Sequence, residues 1–310
     1  MARTRPIFPR ERVTIVGVLN ATPDSFSDGG RIVSGEASVD LRAAVEAAAE
    51  LLAGGAHVLD VGGESTRPGA RAVPAEVEML RVVPVIEALA KRFDAPICVD
   101  TRKAGVARAA LEAGASAVND VSGLRFDPGL GAVAARQGAA LVLGHLRGTP
   151  ETMQDAPRFT DVVAEVADEL AASVAVARGA GVAEERLAVD PGLGFGKDLR
   201  ENLELLASLD RLRARLGLPI LVGPSRKSFL GRITGDPVDQ RDPATAAACA
   251  VAAFLGADAV RVHDAAGASR AVAVGRALRE AALRTQASEA REQRSGAPGE
   301  LGQGERSRET

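Results

Sequence analysis

The sequence predicts an α/β protein, a (β/α)8 TIM barrel in a single domain with a disordered C-terminal tail. Three observations carry that expectation. Eight short apolar runs alternate with longer helical patterns, and strands alternating with helices imply βα units and a parallel sheet. Eight such units in about 270 residues is the arithmetic of this barrel. Polar residues able to do chemistry sit at the C-terminal end of every run. A doubly wound open sheet is the alternative that alternation alone leaves open.

The runs cover residues 13–19, 58–61, 97–99, 117–118, 140–143, 187–189, 220–222 and 259–262. They are short, apolar and bounded by Gly and Asp, as strands buried on both faces are. The helical patterns cover 38–53, 75–91, 104–113, 130–136, 161–178, 200–213, 243–255 and 266–284. Glycines follow several of them, at Gly54-Gly55, Gly114, Gly138, Gly179 and Gly256, where a left-handed residue usually ends a helix. The domain plan is a flexible lead over 1–12, the barrel over 13–285 and a polar tail over 286–310. The tail has almost nothing apolar to bury and reads as disordered.

The chain has 310 residues, is 46% hydrophobic and carries a formal net charge of −3. That balance supports a sizeable core and argues against a nucleic-acid binder. Trp and Tyr are absent, which removes the stacking platforms that single strands need. No run is long and apolar enough to span a bilayer, and no signal peptide is evident. The two cysteines, Cys98 and Cys249, fit small buried hydrophobes in a reducing cytoplasm.

Asn20 follows the first run, and Asp60 sits within the end of the second, with Glu64, Ser65, Thr66 and Arg67 after it. Asp100, Asn119 with Asp120, His145 and Asp190 end the next four. Ser225, Arg226 and Lys227 follow the seventh. Arg261 interrupts the eighth, which His263 and Asp264 close. In a barrel these ends meet on one face, where active sites sit. The implied ligand has two parts. Asp100, Asn119 and Asp190 suit the amino and N–H edge of a flat, nitrogen-rich heterocycle. Arg67, Lys227, Arg261 and His263 offer cationic donors to an anion, with Asn20 and Thr66 as neutral ones.

Gly192-Leu193-Gly194-Phe195-Gly196-Lys197 is glycine-rich but matches neither the dinucleotide fingerprint nor the P-loop. The histidines show no zinc-ligand spacing with either cysteine. His57 starts a strand and reads as structural; His145 either lines the site or supports it from behind.

The segment Asn20-Ala-Thr-Pro-Asp-Ser-Phe-Ser-Asp-Gly-Gly30 resembles the first signature of the dihydropteroate synthases, and Asp60-Val-Gly-Gly-Glu-Ser-Thr-Arg-Pro-Gly69 resembles the second. Val99-Asp100-Thr101, Asn119-Asp120, Asp190 to Lys197, Ser225-Arg-Lys-Ser228 and Arg261-Val-His-Asp264 follow in family order. The resemblance implies a TIM-barrel transferase of folate biosynthesis. It implies condensation of 6-hydroxymethyl-7,8-dihydropterin diphosphate with p-aminobenzoate to 7,8-dihydropteroate and pyrophosphate, with Mg²⁺. By matching position, Asp100, Asn119, Asp190 and Lys227 would hold the pterin. Asn20, Thr66, Arg67, Arg261 and His263 would hold the diphosphate, with Asn20 at the metal. Phe26, Thr66, Pro68, Phe195 and Ser228 would border p-aminobenzoate. Lys227, Asp190 and Arg261 are the expected catalytic set. The resemblance further suggests a homodimer and a sulfonamide target. A silent paralogue and a pterin-binding methyltransferase domain are the alternatives. The family often has Met-His-Met where Gly144-His145-Leu146 stands, so Gly144 is expected to open or reshape the pterin pocket.

Overall fold

The structure, a computed structural model, describes residues 8–9, 11–21, 39–67, 69–70, 72–149, 151–153 and 158–295, with side chains to 289. Eight parallel strands follow one another in the chain: β1 (Thr14–Asn20), β2 (Val58–Gly62), β3 (Ile97–Asp100), β4 (Ala117–Asp120), β5 (Ala140–Gly144), β6 (Leu187–Asp190), β7 (Leu221–Val222) and β8 (Ala259–Val262). Their order is β6-β5-β4-β3-β2-β1-β8-β7, and a parallel bridge between Val189 and Ile220 closes the ring. This is the expected TIM barrel.

Strand period decides what the barrel encloses. Val16, Val58, Cys98, Ala117, Ala140, Val142, Ala188, Leu221 and Ala259 form the inner cluster. Two residues further along, on the same side of the pleat, come Asp60, Asp100, Asn119, Asp190 and Arg261. The lower layers are therefore small and apolar, and the upper layer is polar. Phe8 is 3% exposed and joins the inner cluster from below. The lead expected to be loose thus reaches the barrel at Phe8, whose ring fills space that alanines leave. The larger cluster lies between strands and helices.

Helices α1 (Leu41–Ala53), α2 (Ala75–Arg92), α3 (Ala104–Glu112), α4 (Gly129–Gln137) and α5 (Val162–Gly179) follow β1 to β5. Asp40 caps α1 by accepting from the amides of Arg42 and Ala43, the side-chain role for which Asp is favoured there. The single helix expected over 200–213 is two, α6 (Leu199–Ala207) and α7 (Leu209–Leu216), broken at Ser208. The short α8 (Ser228–Thr234) follows β7 and precedes α9 (Asp242–Phe254). Seven residues are too few to show a helical period, which is why α8 has no sequence signal.

Gly55, Gly114, Gly138 and Gly256 have positive φ, as expected at helix ends. Gly179 does not: α5 runs through it and the left-handed residue is Gly181, φ +93°. The last helix, α10 (Ala265–Ser295), extends past the expected end at 284 into the segment read as disordered. Residues 285–295 lack apolar surface but are rich in Ala, Glu, Gln and Arg, and extending a formed helix needs only propensity. Residues 296–310 lie outside the described part.

Candidate active site

Five buried or half-buried polar side chains meet in the upper layer of the barrel. Arg261 of β8 spans the mouth. Its Nε donates to Asp60 Oδ2 at 2.5 Å and its Nη2 to Asp100 Oδ2 at 2.6 Å. Asp60 is fully buried and Asp100 is 7% exposed. Burial raises the Asp100 carboxyl to about 7, with Asp60 pushing the same way against the pull of Arg261. The expectation places Arg261 on the diphosphate; in the protein alone its guanidinium is committed to two carboxylates. Asp60 is thereby a member of the site, although its position within β2 gives no hint of its partner.

Asn119 is 4% exposed and its Oδ1 has no hydrogen-bond partner among the described residues. An unpaired buried acceptor is costly unless a ligand uses it. Asp190 is 7% exposed. Its Oδ1 accepts from the amide of Gly192 at 2.7 Å, leaving Oδ2 for another donor. Burial raises its pKa, and Lys227 works against that rise. Lys227 donates to the carbonyl of Leu193. Its ammonium lies 4.1 Å from the centre of the Phe195 ring, within cation–π range. Burial lowers Lys227 to about 8.

A second group lies beside the first. His263 Nδ1 is 2.8 Å from Ser225 Oγ, and its Nε2 is 3.4 Å from Asn20 Nδ2. Burial, with Arg226, Arg261 and Arg67 nearby, lowers His263 to about 3. The sequence pattern puts His263 among the cations; in the protein alone it is a neutral imidazole, because burial, and then those arginines, disfavour a charge there. Arg67 and Thr66 are half-buried in the loop after β2. Glu64 ties that loop at both ends, accepting from the amide of Val73 at 2.8 Å and pairing with Arg102. Ser228 is exposed at the start of α8. Phe26 and Pro68 lie outside the described residues, as does most of the first signature.

Other strand-end residues turn away from the mouth. Asp120 accepts from Ser122 and from the amide of Leu124, shaping the turn after β4. Asp264 accepts from the amide of Gly267 in the first turn of α10. Arg226, φ +56°, makes two 2.7 Å bonds to Asp242 and anchors the loop that carries Lys227. His57 accepts from the amide of Ile15 at the opposite end of the barrel, a structural role. His145 does not line the site: it is 2% exposed and faces Lys197 and Glu169.

The profile of the family described as "Pterin binding enzyme" matches residues 16–263. The dihydropteroate synthase of Synechocystis sp. is 47% identical over 259 residues, 82% of this chain and 86% of that one. The chain belongs to the dihydropteroate synthase family. Among solved structures, the Yersinia pestis dihydropteroate synthase in a sulfonamide drug complex superposes with a TM-score of 0.83 at 41% identity, covering 88% of this chain and 96% of that one. The Xanthomonas albilineans dihydropteroate synthase with 4-aminobenzoic acid superposes with a TM-score of 0.78 at 45% identity, covering 86% and 93%.

Against the family's Met-His-Met, Gly144 does not open the pocket. A Cβ there would lie 2.6 Å from Val121 Cα and 2.8 Å from Val121 O. The backbone of the turn after β4 occupies the room a side chain would need. Gly144→Met is therefore expected to destabilise the protein by ~1–3 kcal/mol, the usual scale of overpacking, seen as a Tm several degrees lower in thermal denaturation. An unchanged Tm would show that the turn moves aside freely.

Proposed function

We propose that the protein condenses 6-hydroxymethyl-7,8-dihydropterin diphosphate with p-aminobenzoate, forming 7,8-dihydropteroate and pyrophosphate in folate biosynthesis. The observation that carries this reading is the inward layer of Asp100, Asn119 and Asp190 at the C-terminal mouth of a barrel of this family. Asn119 Oδ1 has no partner among the described residues, and Asp190 keeps its Oδ2 beside the Oδ1 that holds Gly192. They suit the amino and N–H edge of the pterin, with Lys227 donating to a ring acceptor.

The diphosphate lies toward Asn20, Thr66, Arg67 and His263, and Arg261 swings from Asp100 to the leaving group as the pterin enters. Preorganised donors at the place where charge develops supply the largest share of such catalysis. Departure of diphosphate leaves positive charge on the pterin methylene, which the Asp190 carboxylate favours. The neutral aniline then attacks and loses its proton afterwards, so no strong general base is needed beside it. Thr66, Phe195 and Ser228 border the aniline, together with Phe26 and Pro68.

The donor set suits Mg²⁺. Asn20 turns its amide nitrogen toward His263, leaving one neutral oxygen. Among the described residues there is no group of three or more His, Cys, Asp or Glu that would hold a metal alone. Mg²⁺ takes few protein ligands and fills its shell with phosphate oxygens and water. When bound it neutralises charge on the departing diphosphate.

We read the chain as a cytoplasmic homodimer. No described helix is long and apolar enough to cross a membrane. Exposed Val251 and Phe254 on α9 and Val274 and Leu278 on α10 offer a face to a second copy. A sulfonamide, as a mimic of p-aminobenzoate, would compete for the aniline pocket. The test is product formation from the two substrates with and without Mg²⁺. We expect dihydropteroate only with the metal. Full turnover after exhaustive chelation overturns the metal assignment, and no product from folded, metal-replete protein overturns the function.

A further inference from the structure

The glycine-rich segment after β6 matches no nucleotide motif, and the roles above leave its last residue unused. Lys197 is 3% exposed. Its Nζ lies 2.9 Å from the Phe195 carbonyl, 3.0 Å from the Gly192 carbonyl and 2.9 Å from His145 Nδ1. The His145 carbonyl lies at a longer 3.4 Å, so the three donors of an ammonium group share four acceptors. Behind His145 stands Glu169 of α5, with Oε2 3.1 Å from His145 Nε2. A carboxylate only accepts, so Nε2 carries the hydrogen and Nδ1 is left to accept from Lys197. Arg125 and Arg147 pair with the same Glu169 and fix it. Burial and the Lys197 charge lower His145 to about 4, which agrees with a neutral ring.

The segment is wrapped around this ammonium. Gly192, Gly194 and Gly196 all have positive φ, +69°, +80° and +61°. A Cβ on Gly192 would lie 1.9 Å from the His145 carbonyl, and one on Gly194 would lie 2.8 Å from Lys227 Cδ. Between these glycines the segment presents the Leu193 carbonyl to Lys227 and the Phe195 ring beneath its ammonium. The line Glu169–His145–Lys197 thus ends on the backbone that holds a substrate-facing lysine and ring.

We propose that Lys197, held by His145 and Glu169, is a positioning residue for the reaction. Its ammonium sets the turn from Gly192 to Phe195 and so places Lys227 and the Phe195 ring against the substrates. The proposal rests on the reading of Lys227 and Phe195 as substrate contacts given above.

The test measures steady-state kinetics for p-aminobenzoate in Lys197→Met, His145→Gln and Phe195→Ala, with pyrophosphate–Mg²⁺ binding by calorimetry as a control. Asn20, Arg67 and His263 lie on other segments of the barrel, so pyrophosphate affinity should stay within about twofold of wild type. Lys197→Met should raise KM for p-aminobenzoate roughly tenfold or more, the scale of a lost charge-assisted hydrogen bond. His145→Gln keeps an acceptor for Lys197 but loses the link to Glu169, and should raise KM by less. An unchanged KM in folded Lys197→Met overturns the proposal, and so does an equal loss of pyrophosphate affinity. If Lys197→Met does not fold, His145→Gln decides: a raised KM supports the role and an unchanged one overturns it. Phe195→Ala separates two failures. A raised KM there with none in Lys197→Met overturns the role of Lys197 alone. Unchanged values in both also overturn the reading of Phe195 as a substrate contact.

Discussion

Asp190→Asn is expected to weaken binding of the dihydropterin roughly ten- to a hundredfold, ~1.5–3 kcal/mol, while the fold stays intact. The two carboxylate oxygens have separate tasks. Oδ1 holds the amide of Gly192, and an asparagine carbonyl can accept that bond as well. The other oxygen becomes an amide nitrogen, which turns a donor toward the ring's own N–H edge. The pairing is lost and replaced by a clash of donors, while the turn at Gly192 survives. Calorimetry with a pterin ligand measures the loss, and circular dichroism checks the fold. Unchanged affinity would mean that Asp190 serves only to hold Gly192.

Arg261→Met is expected to be the most damaging single change in the mouth. Arg261 lies between two carboxylates that are at most 8% exposed in their side chains. Removing one partner of a buried ion pair costs about 3–5 kcal/mol because the remaining charge is stranded. The expected result is a Tm lower by on the order of 10 °C and loss of turnover. The damage should depend on pH. Asp100 is already raised to about 7 by burial, above the ~3.9 of an unfolded aspartate. A carboxyl raised on folding is held protonated by the folded state, so stability is greatest below the unfolded pKa and falls as pH rises through the folded one. Losing Arg261 raises Asp100 further. The Tm deficit of the variant should therefore be larger at pH 8 than at pH 5.5. A deficit independent of pH would show that Arg261 contributes packing and not charge.

The barrel is legible in the sequence because the signals for it are local and repeated. A strand of four residues such as β6, Leu187–Asp190, announces itself by an apolar run closed by an acid. The polar upper layer is legible for the same reason, since Asp100, Asn119, Asp190 and Arg261 each close or interrupt a run. Direction is not legible. Asp120 follows Asn119 by one residue, and the pleat turns it outward onto Ser122. His145 ends its run as Asp190 does, yet meets Lys197 behind the wall. Pairings between distant segments leave no local mark, so Arg261 with Asp60 and Arg226 with Asp242 emerge only from the fold. The charge of His263 likewise depends on its burial and on Arg226 and Arg67, which the fold brings to it from the loops after β7 and β2.

On the proposed function, one mouth holds the pterin on its carboxylates and the diphosphate on its rim. A crystal structure with a non-reactive pterin diphosphate analogue and Mg²⁺ tests it most directly. The expected result is the heterocycle against Asp100, Asn119 and Asp190 with Lys227 beside it, the diphosphate at Asn20, Arg67 and His263, and Arg261 released from Asp100. A heterocycle bound outside the inward layer, or Arg261 still bridging Asp60 and Asp100 beneath a bound ligand, would contradict it.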